Sequence, residues 1–456
     1  MTLRLKLVLV ALLAALVAPF AIASTINAHT GKQSYVYLEI FDTAIAGRVE
    51  YPIVDLNRVL DLDIPLEGGG SLEELEANAE LIQEYTREHL AIGPADGSAT
   101  WNLEFGEVDY LDISTLSYAI FEFEVAERFD PPPRTFRLAY DAIIEAGDRD
   151  GFLLIGTDWG SGTFNNEGDE FLRYSEGNTD QVVDLDDTSW FKGMGGVIVL
   201  GADHIRIGTD HILFVLALVL PSVLVFARKR GGTDAEWQPS ASFGSTLWRV
   251  LKIVTMFTVA HSITLALGGL GIVELSPRFV ETVIALSIAA AALHNIHPIF
   301  VNKEWALAFG FGLFHGFGFA GLLADLGLDR SRRVPSLLGF NIGVEIGQAA
   351  IILMVFPMLF IMRRSPLYLP LMKIGSVVLS LIALAWATER IFDYDTSVNS
   401  LVEPVLLWPR SAIVVAACYL VAIALWWDAR RRDALVPIVD DDESVSDEPE
   451  AELVGS

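Results

Sequence analysis

The sequence predicts two folds in series: an exported, mainly-β domain of sandwich-like character, then an all-α polytopic membrane bundle of about seven transmembrane helices. Three observations lead there. Hydrophobic residues make up 52% of the chain, more than a soluble domain carries, and they concentrate after position 193. Segments before that position alternate apolar and polar residues at period two, as half-buried strands do. The chain also begins like a secretory signal.

That signal is assigned to residues 1–28. Arg4 and Lys6 precede an apolar run from Leu7 to Ala18, and small residues follow to Ala21-Ile22-Ala23. Cleavage after Ala23, cleavage after Ala28 and retention as an anchor all stay open. Cys418 is the one cysteine, so an exported region gains no internal disulfide and thiolate metal chemistry is nearly excluded.

Residues 29–192 read as the extracytoplasmic β-rich domain. Tyr35–Phe41 and Ala119–Val125 alternate at period two, and further strands are expected near Trp101–Phe105, Thr135–Tyr140 and Phe152–Gly156. One helix interrupts them: Ser71 and Glu74 form a capping box, and Leu72, Leu75, Ala79, Ile82 and Tyr85 recur at helical spacing. Strand count and turn spacing favour a sandwich. Residues 24–192 hold about 35 acids against about 10 bases, and the net charge is −28. A surface this acidic excludes nucleic acid, whose phosphates need a basic face. The partner of the exported domain is not legible in the sequence.

Residues 193–433 hold seven candidate spans, near Thr209–Phe226, Val250–Leu270, Phe279–Phe300, Trp305–Ala324, Leu337–Met362, Leu367–Ile391 and Ala412–Trp427. Each approaches the length a bilayer requires, so the lipid bilayer is the first expected partner. Arg228-Lys229-Arg230, Arg249, Lys252, Lys303, Arg363-Arg364 and Arg430-Arg431-Arg432 fall on one side of such a bundle, with Arg330, Arg332 and Arg333 opposite. The majority sets the β domain outside and the acidic tail, residues 434–456, disordered in the cytoplasm.

The chemistry lies in polar residues inside the apolar stretches. Six of the eight histidines, His204, His211, His261, His294, His297 and His315, lie within or beside them. Such groups are costly in a bilayer and mark function or interhelical hydrogen bonding. Imidazole with carboxylate suits a divalent transition-metal ion. His204, Asp210, His211, His261 and His315 are the candidate metal ligands, expected to converge on one polar cavity. Asp203, Glu281, Ser287, His294, His297, Asn341 and Glu345 form a candidate secondary path. On one straight helix His204 and His211 would share a face but stand about 10 Å apart. Either Gly208 breaks that helix or the two serve successive sites. Alternating Gly and Phe from Phe309 to Phe319 lets helices approach closely around His315. Glu389 and Arg390 read as an anchor at a span end.

Four segments resemble the signatures of HupE/UreJ-type membrane proteins: Asp203-His204 through Asp210-His211 with Ile212–Leu216, Phe257–Leu265 around His261, Val280-Glu281 through Ser287, and Phe314-His315-Gly316 to Ala320. The resemblance covers about residues 193–360. It implies nickel uptake serving hydrogenase and urease maturation, in a bacterial inner (plasma) membrane. His-x5-Asp-His is also similar to the His-x4-Asp-His of nickel/cobalt permeases, one residue shorter. On this basis the chain is expected to be a permease and not an enzyme, moving nickel, with cobalt and zinc as other candidates, and holding no tightly bound cofactor. No Walker motif is present, and the membrane potential can drive a dication inward. Two other classes stay open: an intramembrane metal-dependent hydrolase, and a non-catalytic receptor or assembly factor.

Overall fold

The computed structural model describes residues 33–66, 70–113, 116–144, 149–164, 166, 169–228, 235–301, 303–319, 330–394, 396–407 and 410–438. The expected signal peptide, the tail from 439 onward, and Lys229 and Arg230 lie outside the described residues. The fold divides into two compact units, Thr25–Leu200 with Asp325–Gly339, and Gly201–Ala324 with Phe340–Ser456.

The first unit holds β1 (Gln33–Ile40), β2 (Ile45–Pro52), α1 (Ile53–Leu60), α2 (Gly70–Ala77), α3 (Ala79–His89), β3 (Leu90–Pro94), β4 (Leu103–Ile113), β5 (Leu116–Val125), β6 (Thr135–Tyr140), β7 (Asp150–Asp158), β8 (Leu172–Tyr174) and β9 (Asp180–Asp184). Six strands form a mixed sheet in the order β4-β5-β2-β1-β7-β8, and three form a second sheet, β3-β6-β9. One apolar core takes Val36, Leu38 and Val49 from the first sheet and Ile92, Phe136 and Val183 from the second. β5 alternates as expected, with Ala119, Phe121, Phe123 and Val125 inward. β1 does not. It sits mid-sheet, antiparallel to β2 and parallel to β7, so Tyr35 and Tyr37 are buried on the opposite face with Tyr118 and Phe152. A parallel neighbour covered on both faces erases the half-buried pattern.

The expected helix around Leu72–Tyr85 is two helices. Asn78 separates α2 from α3, and its side-chain amide donates to the Glu74 carbonyl at 2.8 Å, the local competition that makes Asn a helix interrupter. The Ser71 side chain of the capping box is outside the described residues.

The second unit is helical. α4 (Trp190–Ile207) enters it, followed by α5 (Thr209–Val219), the hairpin β10 (Leu224–Arg228) and β11 (Ala235–Pro239), α6 (Phe243–Gly269), α7 (Pro277–Ile296), α8 (Glu304–His315), a 3₁₀ turn (Gly316–Phe319), α9 (Arg330–Met362), α10 (Tyr368–Phe392), α11 (Val398–Leu406) and α12 (Arg410–Arg431). The sequence boundary at Gly193 falls within α4. Five helices are long and apolar enough to cross a membrane: α6, α7, α9 (from Arg332), α10 and α12. The other two expected spans are shorter. α5 has 11 residues and α8 has 12, about 16 and 18 Å of helix against a hydrocarbon core of about 30 Å. Pro221 follows α5, and the apolar run Leu224–Phe226 that lengthened this span pairs instead with Trp237–Pro239 in the hairpin.

α7 packs along α10 and α6 along α8. Alanines of α7 (Ala285, Ala289, Ala292) with Ala383 and Ala387 of α10 line one shared core, which lets the two backbones approach closely.

Candidate metal site

The site begins at a broken helix. α4 ends at Ile207, Gly208 takes extended angles (φ −70°, ψ 97°), and α5 restarts at Thr209. The break brings the His204 and His211 ring centroids to 4.5 Å. Only glycine fits there. A Cβ on residue 208 would stand 2.6 Å from the His204 carbonyl oxygen and 3.0 Å from His211 Nδ1.

Two further elements complete it. α6 supplies His261, 6.3 Å centroid to centroid from His211, and α8 supplies His315, at 5.4 Å. Close contact between α6 and α8 depends on Gly312 and Gly316, one turn apart. A Cβ on either would meet α6 backbone, at 2.5 Å from the Phe257 carbonyl oxygen and 2.3 Å from that of His261. The Gly/Phe alternation works through those two glycines; Gly310 faces open space. Phe257 and Phe214 pack beside His315, and Phe319 and Phe340 beside His204, so the surroundings are apolar.

Hydrogen bonds then fix which nitrogen each ring presents. His211 Nδ1 lies 3.1 Å from Asp210 Oδ1. An ionised carboxylate only accepts, so Nδ1 carries the proton and Nε2 the lone pair. His315 Nε2 lies 3.0 Å from Ser287 Oγ, whose one proton is given to the Ile284 carbonyl at 2.6 Å. Toward His315 the hydroxyl can only accept, so Nε2 is protonated and Nδ1 is bare. His261 Nδ1 faces Asn341 Oδ1 at 3.2 Å, which leaves Nε2 bare. His211 Nε2, His261 Nε2 and His315 Nδ1 are all buried without a hydrogen-bond partner, as is His204 Nε2. Orienting one ring N–H on a carboxylate, hydroxyl or amide so that the other nitrogen is free is how proteins prepare metal-binding imidazoles.

Two groups of three have donor atoms mutually within 4.8 Å: His204 with His211 and His261, and Asp210 with His211 and His315. Four donors about 2.1 Å from one ion would stand about 3.4 Å apart, so either group needs a small contraction to close. The imidazoles of His211, His261 and His315 are buried, while the Asp210 side chain keeps 32% of its surface exposed. The carboxylate is the accessible edge of the cluster.

The secondary residues fall elsewhere. Ser287 and Asn341 orient His315 and His261 from behind. Asp203 pairs with Arg206 at 2.6 Å, and Glu281 with Arg390 at 3.2 Å. Glu345 meets the Thr255 hydroxyl and keeps its second oxygen buried and unpartnered. His294 Nδ1 accepts from the Ile299 amide at 3.2 Å and His297 caps α7. Neither joins a metal-competent group among the described residues. Sequence reading took Arg390 for an anchor. Its link to Glu281 spans 109 residues, and only a second intramembrane acid near a span end hinted at it.

The family model described as HupE / UreJ protein matches residues 179–390, a segment that contains all five clustered residues. Over that segment the chain is a HupE/UreJ protein. No curated protein and no solved structure matches it. The HupE/UreJ match, together with five helices apolar and long enough to cross a bilayer, supports a membrane protein related to metal transport.

Proposed function

We propose that this HupE/UreJ protein is a permease for a divalent transition-metal ion, nickel first, with His204, Asp210, His211, His261 and His315 as its coordinating set. The observation that carries the reading is the tautomer lock. Three buried imidazoles each spend one nitrogen on a fixed partner and hold the other bare, a costly arrangement in an apolar interior that a passing metal ion relieves. Neutral imidazole and carboxylate suit Ni²⁺, Co²⁺ and Zn²⁺ better than Mg²⁺ or Ca²⁺.

His211 belongs to both groups of three and has one bare nitrogen, so the groups act as successive stations. The ion is held by Asp210, His211 and His315, then by His204, His211 and His261. A helix broken at the binding site is a recurring device in transporters, because it frees backbone and side chains where the ion is held. A membrane potential of 100 mV gives a dication roughly 4.6 kcal/mol of drive, enough for accumulation without ATP. The first unit lies outside, the acidic tail inside, and the protein resides in a bacterial inner membrane.

Reconstituted vesicles provide the test. Potential-driven ⁶³Ni²⁺ uptake should exceed that of empty vesicles, and His211→Ala should cut it at least about tenfold with membrane insertion intact. Equal uptake with and without the protein overturns the reading.

A further inference from the structure

Asp210 faces more than the imidazoles. Its carboxylate borders a cavity of about 200 Å³ whose other walls include Thr209, Glu281, Trp386, Arg390 and Glu403. A wider cavity of about 530 Å³ adjoins it, lined by Arg278, Glu389, Asp393 and Tyr394. The two share Glu281, Arg390 and Asn399 as common wall. Glu281 lies in the second turn of α7 and Arg390 in the last turn of α10, at one end of the bundle. Passage from the wide cavity to Asp210 therefore runs past the Arg390 guanidinium.

Arg390 is held on two unlike acids. Its Nη1 donates to Glu389 Oε2 at 3.0 Å and its Nε to Glu281 Oε2 at 3.2 Å. Glu389 is buried and fixed, since its other oxygen accepts from the Thr396 amide at 3.0 Å and from the Thr396 hydroxyl. Glu281 is half exposed. A guanidinium presents several donors in one rigid plane, so Arg390 can release Glu281 while Glu389 continues to neutralise it.

We propose that Arg390 is a tethered gate: it occupies the cation position on Glu281 between the two cavities, and an entering dication replaces it there before reaching Asp210. The direction of traffic rests on the permease reading. The competition for Glu281 does not, because it is a property of binding. The arrangement gives the mouth a threshold. A cation must outcompete a built-in guanidinium for Glu281, which disfavours monovalent ions.

Titration of the purified full-length protein with NiCl₂ tests this. Arg390→Gln should tighten nickel binding about two- to fivefold, the scale of an exposed ion pair removed as competitor. The same substitution in a Glu281→Gln background should change nothing, and Arg390→Lys should stay near wild type. A purely structural role would move both backgrounds alike, which overturns the gate, as does an unchanged or weakened affinity in Arg390→Gln alone. Should that variant fail to fold, Glu389→Gln serves: it removes the pivot, leaves Arg390 on Glu281, and should weaken nickel binding; unchanged affinity counts against the gate. Nickel binding with these shifts but without vesicle uptake sinks the permease reading alone. Normal uptake with no effect of Arg390→Gln on binding sinks the gate alone.

Discussion

Buried carboxylates in the first unit and buried imidazoles in the second are treated in opposite ways. In the first, each buried carboxylate is matched to an arginine. Asp55 meets Arg58 and Arg149 at 3.1 and 3.0 Å, Glu50 meets Arg48 at 2.8 Å, and Asp158 takes both arms of Arg134 at 2.8 and 2.6 Å. In the second, His211, His261 and His315 are as deeply buried, yet each keeps a nitrogen unpartnered. A satisfied buried group holds a fold together, and an unsatisfied one is tolerated where a ligand completes it. The contrast sets the paired carboxylates of the first unit apart from the proposed metal ligands of the second.

The largest effect should come from breaking a matched pair. Arg134→Ala leaves the Asp158 carboxylate buried and unpaired and removes donors to the Leu185 carbonyl. Removal of one partner from a fully buried pair costs about 3–5 kcal/mol. Arg134 is a quarter exposed, so about 2–3 kcal/mol is expected, read as a lower thermal midpoint of the full-length protein, with nickel affinity unchanged. Loss of nickel binding instead would break the separation.

Next stands the positioning of His315. Ser287→Ala removes the acceptor that fixes its tautomer, and nickel affinity should fall about tenfold, the usual effect of losing such a partner. The thermal midpoint should fall modestly, because the bond from His315 Nε2, which joins α8 to α7, is lost with it. Unchanged affinity would mean that the bare Nδ1 is not a donor to the ion.

Acidity should test the matched pair as well. Burial alone would raise the Asp158 carboxyl, but the Arg134 guanidinium and the bonds from Ser161 outweigh it and hold the group below its ordinary value of 3.8. A carboxylate depressed in the folded state contributes stability that is complete above its unfolded value and lost as the pH falls through the folded one. The first unit should therefore keep this contribution at pH 5 and shed it below 3.8. The thermal midpoint followed against pH checks this, and a midpoint unchanged between pH 5 and pH 3 would contradict it.

Much of this was legible in the chain. Period two revealed β5, a further strand was expected where β6 lies, and the five long spans stood out as apolar runs. The five clustered residues were found because intramembrane polar groups are rare enough to count. What stayed hidden depends on distance along the chain. The parallel pairing of β1 with β7 joins residues over 110 positions apart, and nothing local to Tyr35–Phe41 announces it. The roles of Ser287 and Asn341 rest on which lone pair faces which proton, and residue type does not encode that. Hydropathy also overcounted. The run through Phe226 is apolar enough for a span, yet Pro221 and the pairing with Ala235–Pro239 turn it into a hairpin. The Gly208 break was legible as one of two options, and only the 4.5 Å ring separation chooses between them.

The smallest effect should belong to His294, and it sharpens the comparison because His294 shares the surface signs of a ligand. It lies in an apolar helix, and its Nε2 is buried without a partner. It sits in the last turn of α7, beside Phe300 and next to the helix cap at His297. Its Nδ1 accepts from the Ile299 amide, so this ring is tied to a local turn, and it joins no group of three metal-competent side chains among the described residues. An isolated donor holds a dication far more weakly than three converging ones. His294→Ala should therefore change nickel affinity and uptake less than about twofold, well under the roughly tenfold effects of losing a ligand or its support. A tenfold loss at His294 would show that an unpartnered nitrogen alone marks the path, and the requirement for convergence on His211 would have to be given up.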